Sequence, residues 1–290
     1  LVLFFKRGLL ALTLETGVLR RVLLCRPEHY HWISTNSVAE HTLASDLVLD
    51  NDLMFAQYAE LLRTLEGCGV ACSFLEPEPW LPYQVYTRDS SQSTPWGPLL
   101  TQLRMSERRG EVGAVVAFHG AAGLWRTATA GTIEGGDIHL IREGLAVIGW
   151  SGVRTSLAGA EQLAAWLREK GWEVRLQPFA AHFLHLDVLF CMASETLAVA
   201  CTEVLGDDFR DWLGSHGIGT IEAGYREVMA MSCNVLTLGG GRVISPAHSG
   251  RINARLREAG LRVFDPDLTC FARGGGSVHC MTMPLWRDPP

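Results

Sequence analysis

The sequence predicts an α/β fold assembled from five similar units, and three observations carry that expectation. Apolar strand-like runs alternate with helix-like stretches, each helix-like stretch closes on a glycine, and those glycines recur at intervals of about 43–54 residues, at Gly69, Gly123, Gly171, Gly217 and Gly260. Glycine suits the place because a helix C-terminus often needs a left-handed residue, which a Cβ would penalise. Five like units fit a closed, radial arrangement. An ordinary open α/β sheet would show the same punctuation.

The elements follow in order. The first unit has a strand over 22–25, then a helix with Leu53, Tyr58, Leu61, Leu62 and Leu65 on one side, then a strand over 70–75 after Gly69. Gly123 introduces a strand over 124–127. Residues 145–150 read as a strand, Arg154-Thr155-Ser156 as the N-cap of a helix over 157–170, and 172–176 as the strand beyond Gly171. Strands over 197–201 and 218–221 frame the fourth unit, and 235–238, 243–244 and 261–264 the fifth. With no linker, charge block or low-complexity tract, residues 21–290 are expected to form a single domain. Residues 1–20 are expected to be an N-terminal extension, incomplete or appended.

The 290 residues, 48% hydrophobic and 19% charged, suffice for a sizeable core. A net charge of -6 argues against nucleic acid as a partner. The eight cysteines form no Cys-x-x-Cys pair and several sit in apolar runs, which predicts reduced, buried thiols in a cytoplasmic protein. The apolar start is cut by Lys6-Arg7 and lacks a small-residue cleavage site, so it does not read as a signal peptide. No run is long enough to span a bilayer, and no membrane partner is expected.

Five short stretches hold the chemistry: Tyr86-Thr87-Arg88-Asp89, Glu134-Gly135-Gly136-Asp137, Arg154-Thr155-Ser156, His185-Leu186-Asp187, and the glycine-rich run from Gly274 to His279-Cys280. Singly each has a plain structural reading, as a turn, a helix cap or a packed thiol. Together, and in this order, they resemble the guanidine-modifying enzymes of the pentein superfamily: arginine deiminase, dimethylarginine dimethylaminohydrolase, arginine dihydrolase, agmatine deiminase and the amidinotransferases. The resemblance runs from about Arg21 to Arg287, and the ending from Arg273 through Cys280 to Leu285 is especially similar to arginine deiminase. It implies a pentein fold, a pseudo-fivefold α/β propeller of ββαβ units, which agrees with the repeat.

The resemblance also implies roles. Cys280 is the expected nucleophile, because a resonance-stabilised guanidinium carbon needs a thiolate held in a fixed orientation. His185 is the expected acid and base, oriented by Glu134, and Asp89 and Asp187 are the carboxylates that pair with a planar guanidinium. Arg154 and Asp137 join the expected substrate-binding residues, as does Asn36, which stands where arginine dihydrolases carry an Asn. The implied activity is hydrolysis of a C–N bond in arginine or an arginine-like guanidino acid through a covalent thiouronium, releasing ammonia and a ureido product. The alternatives are an amidinotransferase and an arginine dihydrolase giving ornithine. No metal and no cofactor are expected, since His29-x-His31 and His182-x-x-His185-x-Asp187 lack the bridging carboxylate pattern of a two-metal site. The expected partner is a small guanidino molecule, and a homo-oligomer is left open.

Overall fold

The structure, a computed structural model, describes residues 14–289. In chain order the strands are β1 (Val18–Cys25), β2 (Ala71–Leu75), β3 (Ser91–Thr94), β4 (Gly97–Leu100), β5 (Arg126–Thr127), β6 (Ile138–Arg142), β7 (Leu145–Trp150) and β8 (Glu173–Pro178). They continue as β9 (Phe190–Met192), β10 (Leu197–Ala200), β11 (Gly219–Glu222), β12 (Leu236–Gly239), β13 (Arg242–Ile244), β14 (Arg262–Phe264) and β15 (Met283–Asp288). They form five three-stranded sheets, ordered β15-β1-β2, β3-β4-β5, β6-β7-β8, β9-β10-β11 and β12-β13-β14.

Every sheet repeats one pattern, two antiparallel strands and then a crossover to a third strand parallel to the middle one. In the first sheet the antiparallel partner of β1 comes from the far end of the chain, with Val18 opposite Asp288 and Leu23 opposite Met283. The sequence expectation holds at this level: a mixed α/β fold of five like sheets, none of which closes on itself among the described residues.

The local reasons are visible in the burial. The middle strand β7 is covered on both faces and reads as an unbroken apolar run, as parallel strands under helices do. Helix α1 spans Ser37–Ala44, α2 Asn51–Gly67, α3 Glu111–His119 and α4 Leu157–Arg168. In α4 the Ser156 side chain accepts from Gly159 N, as expected of its cap, and Leu163 and Leu167 face inward. Each such fully buried aliphatic side chain contributes about 1.5–3 kcal/mol.

Two expectations are corrected here. The glycine closing the second unit's helix is Gly120, with φ 72°, not Gly123, and only Arg126–Thr127 of the run over 124–127 pairs as strand. The boundary at residue 20 also fails, because Leu14 and Leu19 are buried and the Glu15 amide donates to Leu140 O at 2.8 Å. Six of the eight free thiols are buried, and Cys68 and Cys72 are half-buried. No helix of the described residues is long and apolar enough to cross a membrane.

Candidate active site

The fold delivers one or two polar residues at the same place in every unit, in the few residues before the first strand of each sheet. Asp89 precedes β3, Glu134 precedes β6, His185 and Asp187 precede β9, Asn234 precedes β12, and Cys280 precedes β15. Backbone contacts tie these entries together: Arg88 N donates to Cys280 O at 3.0 Å, and Gly135 N to Asp89 O at 3.0 Å. A residue with a side chain would not fit at Gly136, where a Cβ would come within 2.7 Å of His185 Nδ1.

His185 is sealed from solvent between two carboxylates. Its Nε2 lies 2.7 Å from Glu134 Oε2, and its Nδ1 lies 3.5 Å from Asp89 Oδ1. Burial opposes a charged imidazole, but Asp89, Glu134 and Asp137 outweigh it and lift the His185 pKa to about 9. Glu134 in turn accepts from Arg104 N at 2.8 Å and from Arg154 Nη1 at 3.3 Å. Against its own burial, Arg154 and His185 hold the Glu134 carboxyl well below the usual range. Asp137 stands behind this pair: its Oδ1 takes Leu186 N at 2.7 Å, and burial pushes its carboxyl up to about 7.

Cys280 is held by two residues. Its Sγ donates to Asp187 Oδ2 at 3.2 Å and accepts from Asn234 Nδ2 at 3.1 Å, while Asn234 Oδ1 takes the amides of His279 and Cys280. Burial, Asp187 and Asp89 all push the thiol well above its ordinary pKa, so at neutral pH it rests protonated. Asp187 stays ionised despite burial, because the His279 ring 2.9 Å away lowers its carboxyl to about 2. The other Asp187 oxygen, Oδ1, has no partner.

A narrow cavity is lined by Asp89, Arg108, Arg154, Asn36, Tyr83, Tyr86, Leu184, Gly274, Gly275, Gly276 and Cys280. Only about 10 Å³ of it is free, roughly one water, so a larger ligand must move part of the wall. Glu134, His185, Asp187 and Asp137 are buried behind that wall and do not line it. Asn36 caps α1 through Oδ1 and donates Nδ2 to Gly274 O at 3.0 Å. At Gly275, with φ 101°, a Cβ would meet that amide at 2.5 Å. A wider surface depression of about 420 Å³, lined by Thr202, Asp207, Glu222 and Arg251, contains none of the expected site residues.

Three residues that contact the expected site stretches were not among those expected there. Arg108 is fully buried in the cavity wall, bound to Asp89 Oδ2 at 2.6 Å and forked onto Glu111 at 2.8 and 2.9 Å. An ion pair three residues apart was its only sequence signal. Asn234 could have been found by aligning the five strand entries. Glu15, in the presumed extension, accepts from Arg88 Nη1 at 3.3 Å and lies 3.1 Å from His279 Nε2.

Among the described residues, two buried groups carry donor sets a metal could use: Asp89, Glu134 and His185, and Glu15, His139 and His279. In both, the carboxylates already pair with Arg108, Arg154 or Arg88, cations that oppose a second positive charge.

The family model for arginine deiminase matches residues 73–210 and 200–287. Among relatives, the Bacillus subtilis protein YkgA is 30% identical, over 94% of each chain. The dimethylarginine dimethylaminohydrolase of Pseudomonas aeruginosa is 28% identical, over 78% of this chain and 86% of its own. Among solved structures, the N-terminal domain of ArgZ, a cyanobacterial arginine dihydrolase, superposes with a TM-score of 0.80 at 21% identity, over 92% of this chain and 98% of that one.

Proposed function

The chain belongs to the arginine deiminase family, among the guanidine-modifying enzymes of the pentein superfamily, and from that premise we propose that it hydrolyses a C–N bond of arginine or a similar guanidino acid, with Cys280 as nucleophile. On this reading residues 14–289 form one catalytic domain, and the five sheets stand as the blades of a propeller. The observation that carries it is the placing of Cys280 and Asp89 on one cavity, with the charged His185 held against Asp89 by Glu134.

A guanidinium reaching the site would compete with Arg108 for Asp89 Oδ2 and would find Asp187 Oδ1 without a partner. Its positive charge would offset the two carboxylates that disfavour a thiolate, so the substrate itself would help ionise Cys280. The thiol proton leaves to solvent, and Sγ bonds to the guanidinium carbon. His185, protonated at neutral pH, gives its proton to the departing nitrogen, the C–N bond breaks and ammonia leaves a thiouronium on Cys280. The neutral imidazole next takes a proton from water as it attacks that carbon. The C–S bond breaks, and the ureido product and the thiol are released. Arg108 and Arg154, both on the cavity wall, are the cations available to an α-carboxylate.

Asn36 favours a second reading, an arginine dihydrolase, because it too lines the cavity and bonds to the glycine run ahead of Cys280. An amidinotransferase would differ only in the acceptor, an amine in place of water. Incubation with a panel of guanidino compounds, with and without amine acceptors, separates the three by product mass. Citrulline-type products support the proposal, ornithine supports the dihydrolase, and amidinated amines support the transferase. No turnover of any guanidine would end the proposal.

A further inference from the structure

Behind the nucleophile runs an unbroken line of polar contacts, wholly buried. Glu15 Oε2 lies 3.1 Å from His279 Nε2, His279 Nδ1 lies 2.9 Å from Asp187 Oδ2, and that oxygen lies 3.2 Å from Cys280 Sγ. Both ring nitrogens of His279 face carboxylate oxygens, which only accept. For both contacts to be hydrogen bonds, both nitrogens must carry protons, and the ring is then a cation. Such a ring has no lone pair left for the thiol proton, so it cannot act as a base toward Cys280.

We propose that His279 is a positioning residue for the nucleophile: clamped between Glu15 and Asp187, it fixes the Asp187 carboxylate against the Cys280 thiol and supplies the positive charge that lets that carboxylate stay ionised there. The inference rests on Cys280 being the nucleophile and adds what keeps its neighbour charged. The surroundings fit. His139 stacks on the His279 ring, centroids 5.3 Å apart and planes 13° from parallel, and burial pushes His139 down to about 4, so it adds no competing charge at neutral pH. Arg88 holds the other Glu15 oxygen at 3.3 Å and donates Nε to His279 O at 3.3 Å, which fixes the far end of the line. Arg287, also buried, stands on the C-terminal strand and donates to Gly17 O and Thr237 O. Asn234 completes the mount by taking the His279 amide.

The test uses the full chain and reads the thiol directly. Iodoacetamide labels Cys280 across a pH series, with the labelled peptide quantified by mass, in the wild type and in His279→Gln. Gln keeps a donor for Asp187 but no charge. Loss of the cation leaves Asp187 uncompensated beside the thiol, so labelling at pH 8 should slow about tenfold and its midpoint should move to higher pH. The acid limb of arginine turnover should move to higher pH as well, because Asp187 loses the partner that keeps it ionised. Glu15→Gln should lower kcat several-fold, and Glu15→Asp should recover most of that loss. Unmoved labelling and an unmoved acid limb would overturn the proposal. If His279→Gln does not fold, nitrogen NMR of the wild-type imidazoles decides: two protonated ring nitrogens on His279 at pH 8 support the clamp, and a neutral ring contradicts it. A Cys280→Ser variant that still turns arginine over would sink the nucleophile assignment instead, a result distinct from either labelling outcome.

Discussion

His185 and His139 are equally sealed from solvent, but they titrate in opposite directions. His139, with neither ring nitrogen hydrogen-bonded, is pushed down to about 4 by burial. His185, set between Glu134 and Asp89, is lifted to about 9 although burial works against it there too. Burial therefore neutralises one imidazole in this core, and the three carboxylates around the other, Asp89, Glu134 and Asp137, reverse the sign. In the proposed reaction the charged His185 is the group that would give a leaving nitrogen its proton, and the neutral His139 has no such part.

The largest expected effect removes the group that both regions serve. Cys280→Ser should fold and lose about 10²–10⁴-fold or more in turnover, measured with whichever guanidine the panel selects. Next is Asp187→Asn, which removes the charge of a carboxylate whose Oδ1 has no partner. Turnover of an unmethylated guanidine should fall about 10²-fold, and the wild type should prefer arginine to dimethylarginine by a similar factor. A wild type that prefers dimethylarginine would show that Asp187 does not read the terminal nitrogens.

A smaller change sharpens the contrast between the histidines. Glu134→Gln removes one of the carboxylates that raise His185, so its pKa falls. The proposed acid is active when protonated, so activity lost as pH rises through about 9 in the wild type should be lost at lower pH in the variant. The His185 contribution to stability has the same sign, full at low pH and gone above about 9. An unchanged basic limb would make Glu134 a structural group only. The smallest effect falls on His139, whose depressed pKa costs stability as pH drops from the ordinary 6.5 toward 4. His139→Phe keeps the ring stack and should be relatively more stable at pH 5, by about 2 kcal/mol in chemical denaturation, with little difference at pH 8.

Much of this was legible in the sequence because the signals were local. The strand Leu145–Trp150, the Ser156 cap and the helix-closing Gly69, Gly171, Gly217 and Gly260 each announce themselves within a few residues. The resemblance carried Cys280, His185, Glu134, Asp89 and Asp187, which the fold gathers into one site. Non-local features were hidden. Strand β3 is Ser-Gln-Ser-Thr, fully buried with no apolar alternation, and β15 finds its partner at the opposite end of the chain. Arg108 and Glu15 are charged residues whose value lies in partners distant in sequence, and no periodicity points to them.

The central claim is that Cys280 carries the guanidino carbon during turnover. The direct measurement is an acid quench in the steady state with arginine or the preferred guanidine, followed by peptide mass analysis. The expected result is an S-alkylthiouronium adduct, the substrate less ammonia, on the peptide containing Cys280, absent from Cys280→Ser. Full turnover with no adduct on that peptide at any quench time, together with an active Cys280→Ser enzyme, would contradict it.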